Sequence, residues 1–229
     1  MRKLVLFDID ETMIKSYGVG RRSLTSALST LAGFPVDSSS IALSGKTDPQ
    51  ICVEILTANG LSIEKLDGGL AKIYETYLPI LEQEIRKSSE FGLHEGVEDL
   101  LKELSCLETV HLALLTGNIE PGARLKLNPF SLNHYFATGA FGSDAADRMH
   151  LPAIACKRCS EHFVYEFAPE DVVIVGDSVN DVRCAKGFGA RSIAVATGKT
   201  PWDDIRACDP DFLFPSLADT ESVLQAITG

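Results

Sequence analysis

Residues 4–12 have the sequence Leu-Val-Leu-Phe-Asp-Ile-Asp-Glu-Thr, in which an apolar run ends at two acids. The run from Leu4 to Phe7 predicts a short buried strand, and Asp8 and Asp10 follow it directly. Ligands of open α/β sheets bind beyond the carboxyl ends of the strands. Two neighbouring buried aspartates cost desolvation and repulsion, which a cation would offset. A single aspartate here would more often cap a helix, so the pair needs support from other strand ends.

Four more apolar runs resemble this first strand in length and composition, and helical patterns separate them. Such an alternation of strands and helices predicts an α/β fold in which a mostly parallel sheet is covered by helices on both faces. The predicted strands are residues 111–115, 172–175, 192–196 and 212–214, and the predicted helices are residues 97–106, 120–126, 151–162, 181–188 and 217–227.

The segment between residues 20 and 87 departs from this alternation, because it contains no convincing strand. Helical patterns recur there around residues 23–31, 49–58 and 64–85. Glycines precede the segment and a polar stretch follows it, and both suit hinges. We therefore expect an α-helical insert at residues 18–88, and an α/β domain formed by residues 1–17 and 89–229.

The charge balance limits the partners. The chain has 21 Lys and Arg against 32 Asp and Glu, a net charge of -11, so its far field repels nucleic acid and anionic membranes. No apolar run approaches the ~20 residues that span a bilayer, and we expect a cytoplasmic chain, as a monomer or homodimer. A phosphate substrate would need a bound cation and backbone N–H groups to reverse the field locally.

Two later strands also end in polar groups. Thr116-Gly117-Asn118 follows the strand at 111–115, and the strand at 172–175 runs into a glycine and then Asp177. Each group alone is typical of a turn or a helix cap. Together with Asp8 and Asp10, however, they would meet at one sheet edge. Carboxylate oxygens are the ligands that Mg²⁺ prefers, so the sequence predicts a magnesium site there.

Three segments, DIDET at residues 8–12, LLTGN at 114–118 and GDSVND at 176–181, resemble motifs of the haloacid dehalogenase superfamily in the family's order. The group most similar to the chain comprises phosphoglycolate phosphatases and phosphoglucomutases. The resemblance implies a Rossmann-like three-layer core, an α-helical cap formed by the insert, and phosphoryl transfer through an aspartyl-phosphate.

The resemblance also implies roles for the acids. Asp8 would be the nucleophile, and Asp10 would protonate the leaving group and later activate water. Mg²⁺ would be held by the Asp8 carboxylate, the backbone carbonyl of Asp10 and the Asp177 carboxylate. Asp181 would orient either the cation of the third motif or a metal-bound water.

Substrate contacts follow from the same resemblance. Thr116 would hold phosphoryl oxygens together with the N–H groups of Gly117 and Asn118, and Thr12 would lie beside the substrate. On the insert, Lys46 would reach an anionic group of the substrate. A purely structural alternative is that residues 43–48 form a bend before a helix, with Asp48 as its N-cap.

The third motif departs from the superfamily pattern, which has a lysine just before a helix, often followed by proline. No Lys-Pro pair occurs in the chain. Arg148 stands immediately ahead of the helix predicted at 151–162, and we expect it to supply the missing positive charge. Lys157 is the alternative, although it lies within the helix, where a lysine is usually solvated.

These residues predict a Mg²⁺-dependent phosphatase of a small phosphorylated metabolite. A sugar-phosphate mutase of the same superfamily shares the whole residue set and stays open. A non-catalytic phosphate- or metal-binding protein is a third possibility, favoured only by the departure at Arg148. The presence of both Asp8 and Asp10 argues against it, because a binder has no use for an acid/base beside a nucleophile.

Overall fold

Six parallel strands form the main sheet in the computed structural model, which describes residues 2–229. Numbered along the chain, the strands are β1 (Lys3–Phe7), β2 (Ile14–Lys15), β3 (Gly92–Leu93), β4 (Val110–Leu115), β5 (Gly139–Ala140), β6 (Val172–Gly176), β7 (Arg191–Val195) and β8 (Phe212–Phe214). The main sheet has the order β5-β4-β1-β6-β7-β8, with every pair parallel. Strand β1 thus lies between β4 and β6, and their carboxyl ends meet at one edge.

Nine α-helices occur in residues 2–229. They are α1 (Val19–Ala32), α2 (Asp48–Ala58), α3 (Gly69–Lys87), α4 (Val97–Ser105), α5 (Glu120–Leu127), α6 (Leu151–Phe163), α7 (Val179–Phe188), α8 (Trp202–Ala207) and α9 (Thr220–Thr228). None of these helices combines the length and the apolar character needed to cross a membrane.

The two faces of the sheet carry separate apolar cores, because side chains alternate along each strand. On β1, Val5 and Phe7 pack with α4, α5 and α9, whereas Leu4 and Leu6 pack with α6 and α7. Both faces are therefore covered by helices. The predicted three-layer α/β core with a parallel sheet is confirmed.

Helices α1, α2 and α3 form a third apolar cluster, which includes Leu28, Ile55 and Leu81. We call these three helices with their connections the cap. The helix predicted at 64–85 begins only at Gly69, after a short 3-10 turn at Ile63–Lys65. The reason is local, since Gly68 and Gly69 both have positive φ angles, which a continuous helix does not tolerate. The bounds 18–88 for the insert stay a prediction.

The two chain segments that join cap and core pair with each other. Ile14 and Lys15 of β2 lie antiparallel to Leu93 and Gly92 of β3. Periodicity could not predict this ribbon, because two residues are too few to show alternation. Strand β5 escaped prediction for the same reason.

Candidate active site

The carboxyl ends of β1, β4 and β6 surround a cavity of about 290 Å³ between core and cap. Asp8, Thr116 and Asp177, one from each strand end, line it together with Asp10 and Asn118. The core side is polar, and Leu24, Ile51 and Tyr77 contribute an apolar wall from the cap.

Three of the acids form a compact cluster. One carboxylate oxygen from each of Asp8, Asp177 and Asp181 lies within 4.8 Å of the others, and all three residues are buried. Burial, opposed by Arg148 and reinforced by Asp181 and Asp10, raises the pKa of Asp8 to about 6. Burial and the charges of Asp181 and Asp8 likewise raise the pKa of Asp177 well above its ordinary value. The cluster therefore favours uptake of positive charge.

The donor set fits a hard divalent cation, since three anionic oxygens lie close together in a site shielded from water. A second feature is the close approach of residue 198 to Asp177. A Cβ at Gly198 would lie 1.8 Å from Asp177 Oδ2, so only glycine leaves this carboxylate its place. The residues present are suited to a divalent cation.

Arg148 places a positive charge beside the acid cluster. Its Nη2 lies 3.2 Å from Asp8 Oδ1 and 2.6 Å from Asp181 Oδ1, and it also donates to the carbonyl of Leu115 at 3.3 Å. Although burial opposes it, the two carboxylates raise the pKa of Arg148, so the guanidinium stays charged. The alternative, Lys157, is exposed on α6 and does not line the cavity.

Asp181 is bound on both sides. Its Oδ2 accepts hydrogen bonds from Ser178 N at 3.0 Å and Ser178 Oγ at 2.6 Å, an arrangement that caps α7. Its Oδ1 holds Arg148. Both carboxylate oxygens therefore have protein partners before any metal binds, which suits the role of orienting the cation of the third motif.

The Asp10 carboxylate does not join the cluster of Asp8, Asp177 and Asp181, although the sequence suggests that Asp10 and these acids surround one cation. Lys126 Nζ lies 2.8 Å from Asp10 Oδ1 and 2.6 Å from Oδ2, and Asn118 Nδ2 donates to Oδ2 at 2.7 Å. Burial alone would raise the pKa of Asp10, but the charge and hydrogen bonds of Lys126, with those of Asn118, hold it below its ordinary value. This side chain lies outside the acid cluster, and the predicted contribution of Asp10 to metal binding, through its backbone carbonyl, stays a prediction.

The loop after β4 makes hydrogen bonds between its own residues and with the cap. Thr116 Oγ1 accepts hydrogen bonds from Asn118 N at 3.3 Å and Asn118 Nδ2 at 2.8 Å. Gly117 accepts a hydrogen bond of 2.7 Å from Asp48 N at its carbonyl. A Cβ on Gly117 would lie 1.9 Å from the Lys46 carbonyl oxygen, so this glycine permits the cap to approach.

Thr12, which the resemblance places beside the substrate, lies behind the cavity wall. It is fully buried and does not line the cavity, and its hydroxyl donates to Asp177 Oδ1 at 3.4 Å. The chain turns at residues 11–13, after the end of β1, and the turn brings the Thr12 hydroxyl to Asp177. Its contact orients Asp177 instead.

For the cap loop, the role of Lys46 stays a prediction, and the alternative that Asp48 is an N-cap is wrong. Lys46 lines the cavity, but its Nζ lies 2.5 Å from Glu54 Oε2 on α2, so in this arrangement the ammonium is paired within the cap. Asp48 is not the N-cap of α2, because Thr47 Oγ1 accepts the capping hydrogen bond from Gln50 N at 3.4 Å. The Asp48 carboxylate instead accepts a hydrogen bond of 2.8 Å from Ile119 N.

The sequence gives little indication that Lys126 and Asp48 line the cavity. Lys126 is only 3% exposed, and a weak signal exists, since Gly122 one turn earlier leaves room on that helix face. Burial, opposed by Lys126, raises the pKa of Asp48 to about 6. Arg21 also lines the cavity, where it donates to the Ile41 carbonyl at 2.7 Å and so fixes the cap loop.

The parallel sheet, the acids at the end of its central strand and the covering helices define an α/β enzyme with an acidic site beneath a cap. The model of the family described as "haloacid dehalogenase-like hydrolase" matches residues 5–195. The chain therefore belongs to the haloacid dehalogenase-like hydrolases. The predicted superfamily and the predicted enzyme class, a hydrolase, are confirmed.

Relatives of known name extend over the whole chain. Phosphoglycolate phosphatase of Vibrio vulnificus is 28% identical over 237 residues, covering 97% of this chain and 96% of that protein. Phosphoglycolate phosphatase 1 of Pseudomonas aeruginosa is 27% identical over 225 residues, covering 95% and 78%.

Solved structures share the fold. CbbY from Rhodobacter sphaeroides, in complex with phosphate, superposes with a TM-score of 0.71 at 20% identity, over 96% of both chains. A hydrolase from Pseudomonas syringae superposes with a TM-score of 0.73 at 16% identity, over 100% of both chains. The cap and core together therefore have a known arrangement.

Proposed function

We propose that this protein is a Mg²⁺-dependent phosphatase that hydrolyses a small phosphorylated metabolite through an aspartyl-phosphate on Asp8. The observation that carries the proposal is the position of Asp8, which has Asp177 and Asp181 in one cluster with it and the Arg148 guanidinium 3.2 Å away. The names of the relatives support phosphomonoester hydrolysis, and phosphoglycolate is the first substrate to test. A cavity of about 290 Å³ suits a metabolite of this size.

The carboxylates of Asp8 and Asp177 and the carbonyl of Asp10 would hold Mg²⁺. The bound ion would offset the repulsion between Asp8 and a phosphate dianion, and it would stabilise charge in the transition state. Asp181 keeps Arg148 beside Asp8, and Thr12 keeps the Asp177 carboxylate in its orientation.

Two displacements at phosphorus complete the reaction. The first displacement uses the protonated form of Asp10, which is the minor form because, against the effect of burial, Lys126 holds the pKa of this carboxyl below its ordinary value. An Asp8 carboxylate oxygen attacks phosphorus, the bond from phosphorus to the ester oxygen breaks, and Asp10 gives its proton to the departing oxygen to produce the alcohol. Then water attacks the aspartyl-phosphate, Asp10 takes a proton from that water, and the bond from phosphorus to Asp8 breaks. The products are inorganic phosphate and a regenerated Asp8 carboxylate.

Substrate binding uses groups from both sides of the cavity. Arg148 can donate to phosphoryl oxygens, which match the guanidinium in charge and spacing. Thr116 and the N–H groups of Gly117 and Asn118 would bind the remaining phosphoryl oxygens. Lys46 would reach the far end of the substrate after releasing Glu54. The closed cap shields the site from bulk water, which strengthens the electrostatic contacts with the phosphoryl group.

The two alternatives find less support. A sugar-phosphate mutase would use the same acids, and no contact among the described residues favours it. A non-catalytic binder would have no need of an acid such as Asp10, which lines the cavity with the nucleophile and is held by two side chains.

Phosphate release from a set of phosphorylated metabolites, with Mg²⁺ and with the metal chelated, tests the proposal. We expect release from at least one alkyl phosphate in the presence of Mg²⁺ and at least about 100-fold less after chelation. Asp8→Asn should abolish the release, whereas Asp203→Asn, on an exposed helix start, should leave it unchanged. Turnover retained by Asp8→Asn would contradict the nucleophile, and isomerised sugar phosphate without release would indicate a mutase.

A further inference from the structure

Lys126 is a buried lysine that takes no part in either displacement at phosphorus. It lies on α5, and its ammonium has three acceptors: Asp10 Oδ1 at 2.8 Å, Asp10 Oδ2 at 2.6 Å and Asn118 Oδ1 at 2.6 Å. An ammonium has three hydrogens to donate, so its hydrogen-bonding capacity is filled. The complete set of partners explains how a lysine can be 3% exposed.

The contacts fix one orientation of the Asp10 carboxylate. Lys126 bridges both oxygens, and Asn118 donates to Oδ2 from the other side at 2.7 Å. Asn118 is itself tied to Thr116 Oγ1 by a hydrogen bond of 2.8 Å. The four side chains form a closed network, so Asp10 cannot rotate toward the acid cluster without breaking three hydrogen bonds.

The cap completes the enclosure of Lys126. A Cβ on Gly20 of α1 would lie 3.3 Å from Lys126 Nζ and 3.9 Å from the Tyr77 hydroxyl of α3. Any larger residue at position 20 would press on the ammonium. The ammonium of Lys126 therefore lies against the cap and is shielded from water, whereas Asp10 is 31% exposed toward the cavity.

We propose that Lys126 is a positioning residue that aims the Asp10 carboxylate at the leaving-group oxygen. The inference rests on the proposed function and adds to it a part of the site that belongs to α5. Lys126 acts through Asp10 and Asn118 and does not itself react. A fold-stabilising ion pair is the competing explanation, and it predicts no dependence on the leaving group.

The test compares two small substrates in the full-length protein with Mg²⁺. The leaving group of glycerol 1-phosphate is an alkoxide, which needs a proton. The leaving group of acetyl phosphate is acetate, which does not. kcat/KM covers the steps up to formation of the aspartyl-phosphate. Lys126→Met should lower kcat/KM for glycerol 1-phosphate by at least about 100-fold, a typical general-acid contribution, and for acetyl phosphate by less than about 10-fold.

The control is Lys186→Met, which removes an exposed lysine paired with Asp209 on the surface and should change neither value. If Lys126→Met folds poorly, Lys126→Gln, whose amide keeps two N–H hydrogens to donate, should show the same substrate dependence with a smaller loss. In an Asp10→Asn background, Lys126→Met should cause no further loss for glycerol 1-phosphate, because coupled residues are not additive.

The outcomes separate the two proposals. Equal losses for both substrates, or a further large loss in the Asp10→Asn background, would overturn the positioning role while leaving the phosphatase intact. A wild-type protein that releases phosphate from no phosphomonoester would overturn both.

Discussion

The carboxylate of Asp48, in the cap, accepts a hydrogen bond of 2.8 Å from the backbone N–H of Ile119, in the core. Next to it, Asp48 N donates to the Gly117 carbonyl at 2.7 Å, and Thr47 Oγ1 donates to the Ala146 carbonyl at 2.6 Å. The start of α2 is thus joined to the loop that follows β4 and to the segment that leads to Arg148. These contacts hold the cap closed over the cavity.

Gly117→Ala should weaken this closure. The added methyl group would lie 1.9 Å from the Lys46 carbonyl, so the cap loop would have to withdraw. We expect kcat/KM for the best phosphomonoester to fall at least about 10-fold, because a displacement of about 1 Å in an active site has effects of that size or more. Gly122→Ala is the control, since its methyl group would make only ordinary contacts of 3.5 Å or longer. Equal activity of the two variants would show that the closure does not depend on this glycine.

The pH dependence of stability should change when Asp48 is replaced by asparagine. The pKa of Asp48 in the folded protein is raised from 3.8 to about 6, mainly by burial. The folded protein therefore binds more protons than the unfolded chain between these values, and the contribution of Asp48 to stability falls as the pH rises toward 6. Asp48→Asn can keep the hydrogen bond from Ile119 but cannot titrate.

Urea unfolding without metal measures this effect. The free energy of unfolding of Asp48→Asn, relative to wild type, should rise by about 1 kcal/mol between pH 5 and pH 7. A difference that stays constant with pH would show that Asp48 titrates at its ordinary pKa.

Arg148→Ala should reduce both activity and stability. The change leaves Asp8 and Asp181 as buried acids without their positive partner, and breaking a buried ion pair in this way typically costs about 3 to 5 kcal/mol. Phosphatase activity should fall at least about 100-fold. Lys157→Ala removes an exposed charge on α6 and should change neither quantity, as activity assays and chemical unfolding can show. Loss of activity in Lys157→Ala alone would reverse the assignment of the third-motif cation.

Magnesium should stabilise the protein through the acid cluster and not through the Asp10 side chain. At 100 times its dissociation constant a ligand adds about 2.7 kcal/mol, which should raise the Tm of the wild type by several degrees. Asp177→Asn should lose most of this shift because it removes a carboxylate of the cluster. Asp10→Asn should keep it, since that carboxylate is bound by Lys126. Thermal unfolding with and without Mg²⁺ decides, and a lost shift in Asp10→Asn would place its side chain among the ligands.

The main elements of the core could be predicted because their signals are local. Apolar runs such as Val172–Val175 are short, rich in β-branched residues and end at glycine, so their strand character needs no tertiary information. The position of Arg148 follows from the same logic. A residue that directly precedes α6 must lie at the carboxyl edge of the sheet, where Asp8 also lies.

The contacts within the site could not be predicted, because they depend on which helix faces which. Lys126 is one lysine among 21 basic residues, and only packing of α1 and α3 against α5 encloses it. The same packing directs Asp10 to Lys126 and away from Asp177. Asp48 precedes Pro49 at the start of a helix, where its sequence favours a cap, and the nearby N–H of Ile119 outweighs that local preference.

The pairing of β2 with β3 has a consequence for the history of such chains. Because the outgoing and returning crossings lie side by side, residues between them can be lengthened, shortened or exchanged without disturbing the order of the six-stranded sheet. The cap is inserted at this ribbon, so exchange of the cap can change the residues that face the substrate while Asp8 and Asp177 stay at their strand ends.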